Sequence, residues 1–156
     1  MQINKKIEVL MFLILISIPN LFLSQSKRIN MIILVDQEIC ISVNEFKINT
    51  LKPIIAKYRV GNLDLSNSEY EYILNDKEEN IDVDITNSVL NKNKIYFENL
   101  HYKFILPKVY LKQEYIIINI YSKGNKFYKK RYSGVSKQDR KEYYIVIEGP
   151  NSMKFD

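Results

Sequence analysis

The stretch EYIIINIYSKGNKFYKKRY, Glu114 to Tyr132, decides how this chain is read. Ile116, Ile118 and Ile120 alternate with Ile117, Asn119 and Tyr121, and β-branched and aromatic residues at period two form a strand against a packed face. Gly124-Asn125 is a turn signal, so Ser122 to Lys126 is expected to reverse the chain and Phe127 to Tyr132 to return as the second strand of a β-hairpin. Register then chooses the loop. Gly124-Asn125 alone sets Ile118 against Arg131 and Ile120 against Lys129, with cations over the apolar face. The odd loop Lys123-Gly124-Asn125 sets Ile120 against Tyr128 and leaves Lys129 and Arg131 on the wetter face, and it is the one expected.

Upstream, Lys5 and Lys6 precede an apolar run from Ile7 to Leu23, and Ser24-Gln25-Ser26 follows with small residues where a signal peptidase inspects. This is the pattern of a secretory signal peptide, residues 1–26, cleaved after Ser26. Pro19-Asn20 interrupts the run before it crosses about 30 Å of hydrocarbon, so the membrane is contacted only through this segment, and only if it stays uncleaved. No cysteine follows the run, which closes the bacterial lipid-anchor route. Loss of Lys5, Lys6 and Glu8 lowers the formal charge from +5 to +4, and residues 27–156 suit a single domain with its own core.

Within that domain the short apolar runs recur. Ile29, Met31, Ile33 and Val35 share a face, Asp36-Gln37 is a tight turn, and Ile39, Ile41 and Val43 follow before Phe46 and Ile48 continue on the opposite parity, as if past a bulge near Asn44. Ile54, Ala56, Tyr58 and Val60 alternate until Gly61-Asn62. Leu63 to Asn80 reads two ways: a short helix through Leu74 capped by Asn67 or Ser68, or a strand carrying Tyr70, Tyr72 and Leu74. Ile81, Val83 and Ile85 then alternate with Asp82 and Asp84, Ile95 to Leu106 forms a strand ending at Pro107, Ser136 and Asp139 frame one helical turn, and Tyr143 to Glu148 is the last strand before Gly149-Pro150 and a short tail. About seven to nine strands without a long amphipathic helix predict an all-β domain, an antiparallel β-sandwich of immunoglobulin-like architecture. The paired cysteines and tryptophan of antibody domains are missing.

Few residues offer chemistry. Cys40 is the only cysteine and, in a strand between Ile39 and Ile41, reads as a small hydrophobe. His101 and Asn99 do not make it a nucleophile by their presence alone. Asp82 and Asp84 share one strand face about 6.8 Å apart, the order of separation used by inverting glycosidases, but alternation with Ile81 and Val83 marks a strand's wet side. Glu78, Glu79, Asn80, Asp82 and Asp84 lack EF-hand spacing for calcium. With no phosphate-binding loop, nucleophile elbow or zinc-ligand spacing, the chain reads as a non-enzyme without metal or cofactor.

The most biased stretch is Lys123 to Lys141, where Lys123, Lys126, Lys129, Lys130, Arg131, Lys137, Arg140 and Lys141 face the single acid Asp139. Lys126, Phe127, Tyr128, Lys129, Lys130, Arg131 and Tyr132 interleave cations with aromatic rings, the composition that grips an anionic polymer by charge and stacking. The plainer role of such lysines is to keep an edge strand from pairing with other chains. Export points away from nucleic acid and toward an envelope protein or an anionic polysaccharide met in the periplasm or outside the cell. The expected function is a secreted binding module; the alternative is an immunity or inhibitor protein that blocks an envelope-targeting toxin or enzyme through a protruding loop.

Overall fold

Ile29, Met31 and Ile33 are buried while Arg28 and Asn30 are exposed, so β1 (Ser26–Val35) turns one face to a core as its alternation requires. The computed structural model describes residues 26–91 and 96–155, with the backbone alone for 89–91 and 96–98; the expected signal segment lies outside the described residues apart from Ser26. The same alternation builds β3 (Glu45–Asn49), β4 (Ile54–Arg59), β5 (Gly61–Ser66), β6 (Asn80–Asn91), β7 (Tyr96–Pro107) and β8 (Ile116–Ser122). Two-residue β2 (Glu38–Ile39), β9 (Tyr143–Gly149) and β10 (Ser152–Phe155) complete the set.

All ten strands belong to one sheet in the order β10-β9-β8-β1-β5-β4-β3-β6-β7, with β2 beside β1. The β1–β8 pair is parallel, Met31 opposite Ile116 and Val35 opposite Ile120, and the other pairs are antiparallel. The sheet bends at β4, whose residues 54–56 pair with β3 and whose Lys57–Arg59 pair with β5. It curls into a half-barrel around one apolar cluster that draws Ile33, Phe46, Tyr58, Leu63, Ile85, Phe104, Ile118 and Ile147 from eight strands. The all-β class is as expected. The antiparallel sandwich is not what forms: alternation dictates which face of each strand is buried, and a curled mixed sheet satisfies that as fully as two stacked sheets do.

Local chemistry sets the joints. Asp36 and Gln37 adopt positive φ (53° and 76°) in the β1–β2 turn, a conformation that Asp tolerates, and the Asp36 carboxylate accepts the N–H and hydroxyl of Ser122 at the end of β8. α1 (Asn67–Asn75) starts in a capping box: Ser66 Oγ accepts Glu69 N–H at 3.2 Å and Glu69 Oε2 accepts Ser66 N–H at 2.8 Å. Of the two readings of this segment the helix therefore holds, with Ser66 as the cap. Ile73 on α1, together with Tyr110 and Leu111 of the turn Lys108–Lys112, closes one end of the core. Buried Lys108 donates to the Asp76 carbonyl at 3.0 Å, a cation at the end of α1 where the last carbonyls are otherwise unpaired.

Three details depart from the sequence reading. Ile39 and Ile41 are 58% and 72% exposed while Cys40 is buried, the reverse of the expected facing; Tyr58 Oη reaches over to accept Ile33 N–H and donate to the Cys40 carbonyl, drawing that stretch inward. Strand pairing then lapses except for one Ser42–Arg59 bridge, so no bulge near Asn44 is needed for Phe46 and Ile48 to face the core. The tail past Gly149-Pro150 is β10, with Met153 opposite Glu148 and Phe155 opposite Val146.

Candidate functional site

Phe127 to Tyr132 is not a strand. β8 is flanked by β1 on one side and β9 on the other, with Ile118 opposite both Ile33 and Ile147, so no edge is left for a returning hairpin strand and neither loop register applies. Lys126–Arg131 forms the helix α2 instead. Asn125 Oδ1 accepts Phe127 N–H at 2.9 Å as its cap, and Lys129, Lys130 and Arg131 fill the last turn, where cations complement the helix dipole.

Helical spacing divides the basic aromatic stretch by face. Tyr128 and Tyr132, four apart, turn toward the sheet: Tyr128 is buried, its ring centroid lies 4.6 Å from that of Tyr132, and its hydroxyl donates to the Lys141 carbonyl at 2.6 Å. Phe127, Lys130 and Arg131 occupy another face and border a groove, while Lys126 holds its ammonium 5.2 Å from the Phe127 ring centroid and Lys129 is exposed. Of the seven expected patch residues, Phe127, Lys130 and Arg131 thus line this groove.

The rest of that groove comes from the outer face of the sheet. Tyr121 of β8, Tyr144, Val146 and Glu148 of β9, and Met153 and Phe155 of β10 enclose about 460 Å³ with α2. Val146 and Tyr144 form a second apolar cluster with Tyr128, which is why β9 is buried on both faces. The rings of Tyr144 and Phe155 are parallel within 2° at 6.3 Å, Tyr121 lies 6.0 Å from Tyr144 and 5.2 Å from Phe127, and the Arg131 guanidinium stands 5.7 Å from the Tyr144 centroid. Burial pushes the Tyr121 phenol up, aided by the Glu148 carboxylate and Tyr144. Burial also pushes Tyr144 up, against a downward pull from Arg131. Both phenols are therefore neutral at physiological pH. Glu148 also borders the groove, its Oε1 accepting from Asn119 Nδ2 at 2.8 Å. Phe127, Met153 and Phe155 remain 42%, 55% and 55% exposed, an apolar surface of the kind that binds something.

No protein-family model, curated protein or solved structure matches this chain. The site's chemistry must carry the functional reading alone.

The other candidates do not assemble a reactive centre. Asp82 and Asp84 lie on the outer face, as their alternation implies, and Asp84 pairs with Lys103 at 3.4 Å. His101 is also on the outer face, 3.1 Å from Thr86 Oγ1, whereas Cys40 is inside with Asn87 Nδ2 3.4 Å from its sulfur; burial pushes that thiol up, which suppresses the thiolate. Among the described residues no group of three or more His, Cys, Asp or Glu can hold a metal ion. A larger cleft of about 810 Å³ between Leu51 and α1 mixes Asp76, Glu78 and Asp82 with Lys77 and presents one ring, Tyr72.

Tyr121, Tyr144, Glu148, Met153 and Phe155 escaped the sequence reading. Their signal was present: aromatic residues at the outward positions of strands whose other face is already apolar, and Met153 and Phe155 alternating with Ser152 and Lys154.

Proposed function

We propose that this protein is an exported, non-catalytic binding module that holds an anionic glycan in the groove between α2 and the outer face of β8, β9 and β10. One observation carries the reading: four aromatic rings, Tyr121, Phe127, Tyr144 and Phe155, line a single groove rimmed by Lys130 and Arg131. Sugar rings present apolar C–H faces that stack on aromatic side chains, and carboxylate or sulfate groups on the same polymer are drawn to the cations. The guanidinium over Tyr144 is held by the ring itself, which leaves its N–H fork available to a ligand anion. The test is charge reversal, Lys130→Glu with Arg131→Glu, followed by titration with a carboxylated oligosaccharide. Binding is expected to fall at least about tenfold and to lose its salt dependence; unchanged affinity rules out this groove.

A protein partner is the second reading, favoured by the β6–β7 ribbon. β3 accompanies β6 only as far as Thr86, and from Asn87 to Asn91 the two strands pair with each other, an arm suited to entering a partner's cleft. An inhibitor or immunity protein would use such an arm. Replacing residues 89–98 with a short turn should then abolish capture of one envelope protein from an exported fraction while the groove variants leave it intact.

A further inference from the structure

We propose that the groove takes the sugar headgroup of an anionic glycolipid, with the rim of the groove resting on the bilayer that carries it; this names the source of the ligand and rests on the glycan reading above. The groove is layered by exposure. Tyr144 and Val146 are buried and form its floor, with Tyr121 and Glu148 half-buried beside them. Phe127 on α2 and Met153 and Phe155 on β10 are exposed, and with exposed Lys130 and Arg131 they form the rim. Met153 and Phe155 are alternate residues on one face of β10, about 6.8 Å apart along the strand. A sugar seated against Tyr121 and Tyr144 does not account for Met153, nor for three large apolar side chains left in water around it.

Charge identifies the surface that covers them. Lys123, Lys126, Lys129, Lys130 and Arg131 are all exposed, and Asp139 is the only acid between residues 123 and 141. An anionic bilayer answers both features at once. Its headgroup layer attracts the cations, hydrocarbon lies directly beneath for Phe127, Met153 and Phe155, and lysine stems are long enough to keep their ammonium groups in the charged layer. Three apolar side chains hold a bilayer weakly, and a single sugar holds the groove weakly. A lipid-borne sugar joins the two contacts, because the ligand is held at the surface that the rim meets. This contact is separate from the apolar segment at the N-terminus.

The experiment titrates the protein with phosphatidylcholine vesicles containing a monosialylated glycolipid, with the free oligosaccharide of the same headgroup, and with phosphatidylcholine vesicles brought to the same charge by phosphatidylglycerol. The glycolipid vesicles are expected to bind at least about tenfold more tightly than either of the others. Met153→Ser, its fold verified by a thermal melt, is expected to weaken glycolipid-vesicle binding several-fold more than it weakens binding of the free oligosaccharide. Cys40 is buried, so a dye can be attached at position 153 in the Met153→Cys variant, and spin-labelled lipid should quench it in glycolipid vesicles. Equal affinity for vesicle-borne and free sugar, an equal effect of Met153→Ser on both, or a dye that escapes quenching overturns the lipid source and leaves the glycan reading standing. Equal binding to the phosphatidylglycerol vesicles shows attraction by charge alone and overturns the role of the headgroup. Failure to bind the glycolipid in vesicles and its free oligosaccharide overturns both readings.

Discussion

The Tyr143 hydroxyl holds both backbone groups of Lys103, accepting the N–H at 2.5 Å and donating to the carbonyl at 3.0 Å. Tyr143 lies on β9 and Lys103 on β7, near opposite ends of the strand order, so one phenol bridges the seam that strand pairing leaves open. Lys154 of β10 reaches the Ile105 carbonyl at 3.4 Å and adds a second, weaker link. The half-barrel is closed by side chains rather than by a ladder.

Tyr143→Phe keeps the edge-on packing against Tyr102, whose ring lies 5.2 Å away, and removes only the hydroxyl. Stability should fall by about 1–2 kcal/mol in urea titration, because two backbone groups lose their partner at a site that water reaches. Hydrogen exchange at the Lys103 amide should accelerate more than at the paired amides of β6.

Tyr102 predicts an alkaline limit. Burial, with smaller contributions from Asp36, Cys40 and Tyr143, pushes its phenol from 10.0 up to about 12. The folded state thus keeps a proton that the unfolded chain releases. Its contribution is full below pH 10 and is lost as pH rises from 10 through about 12, on the order of 2 kcal/mol. Urea midpoints should decline across that window, and Tyr102→Phe should flatten the decline.

Gly149 is required by its neighbours. A Cβ there would lie 1.6 Å from Gln113 Oε1 and 3.3 Å from the Tyr110 ring, and Gln113 is tied to Ser152 Oγ at 2.9 Å. Gly149→Ala should cost about 1–2 kcal/mol by displacing Gln113 and releasing the start of β10. Gln113 is a flexible chain, so Gln113→Ala should recover most of that loss in the double variant; additive losses would mean that Tyr110 is the real obstacle.

Asn125→Ala tests the dependence of the groove on α2. Loss of the cap should destabilise the helix by about 1 kcal/mol. Because Phe127, Lys130 and Arg131 are all placed by that helix, affinity for a carboxylated oligosaccharide should drop several-fold with little change in global melting.

How far the sequence reached depends on which interaction is asked about. The faces of β1, β6 and β8 follow from period-two alternation, since burying Ile29, Met31 and Ile33 or Ile116, Ile118 and Ile120 is a local decision made by side-chain polarity. So is the outward facing of Asp82 and Asp84. Lys126 to Tyr132 misled because a turn signal at Gly124-Asn125 fits a hairpin and a helix cap equally well, and the outcome depended on whether β8 had a free edge. It had none, and β1, 85 residues upstream in the pairing register, took one side.

The amino-acid sequence by itself determined the all-β character, most of the strand positions and the cationic, aromatic make-up of one surface. Tertiary structure alone decided that the strands form one curled mixed sheet, that Tyr143 bridges its seam, and that Phe127, Lys130 and Arg131 meet Tyr121, Tyr144 and Phe155 across a groove. The physical reason is that polarity patterns are read strand by strand, whereas sheet order and the meeting of distant side chains depend on which pairings together bury the most apolar surface without leaving backbone groups unpaired.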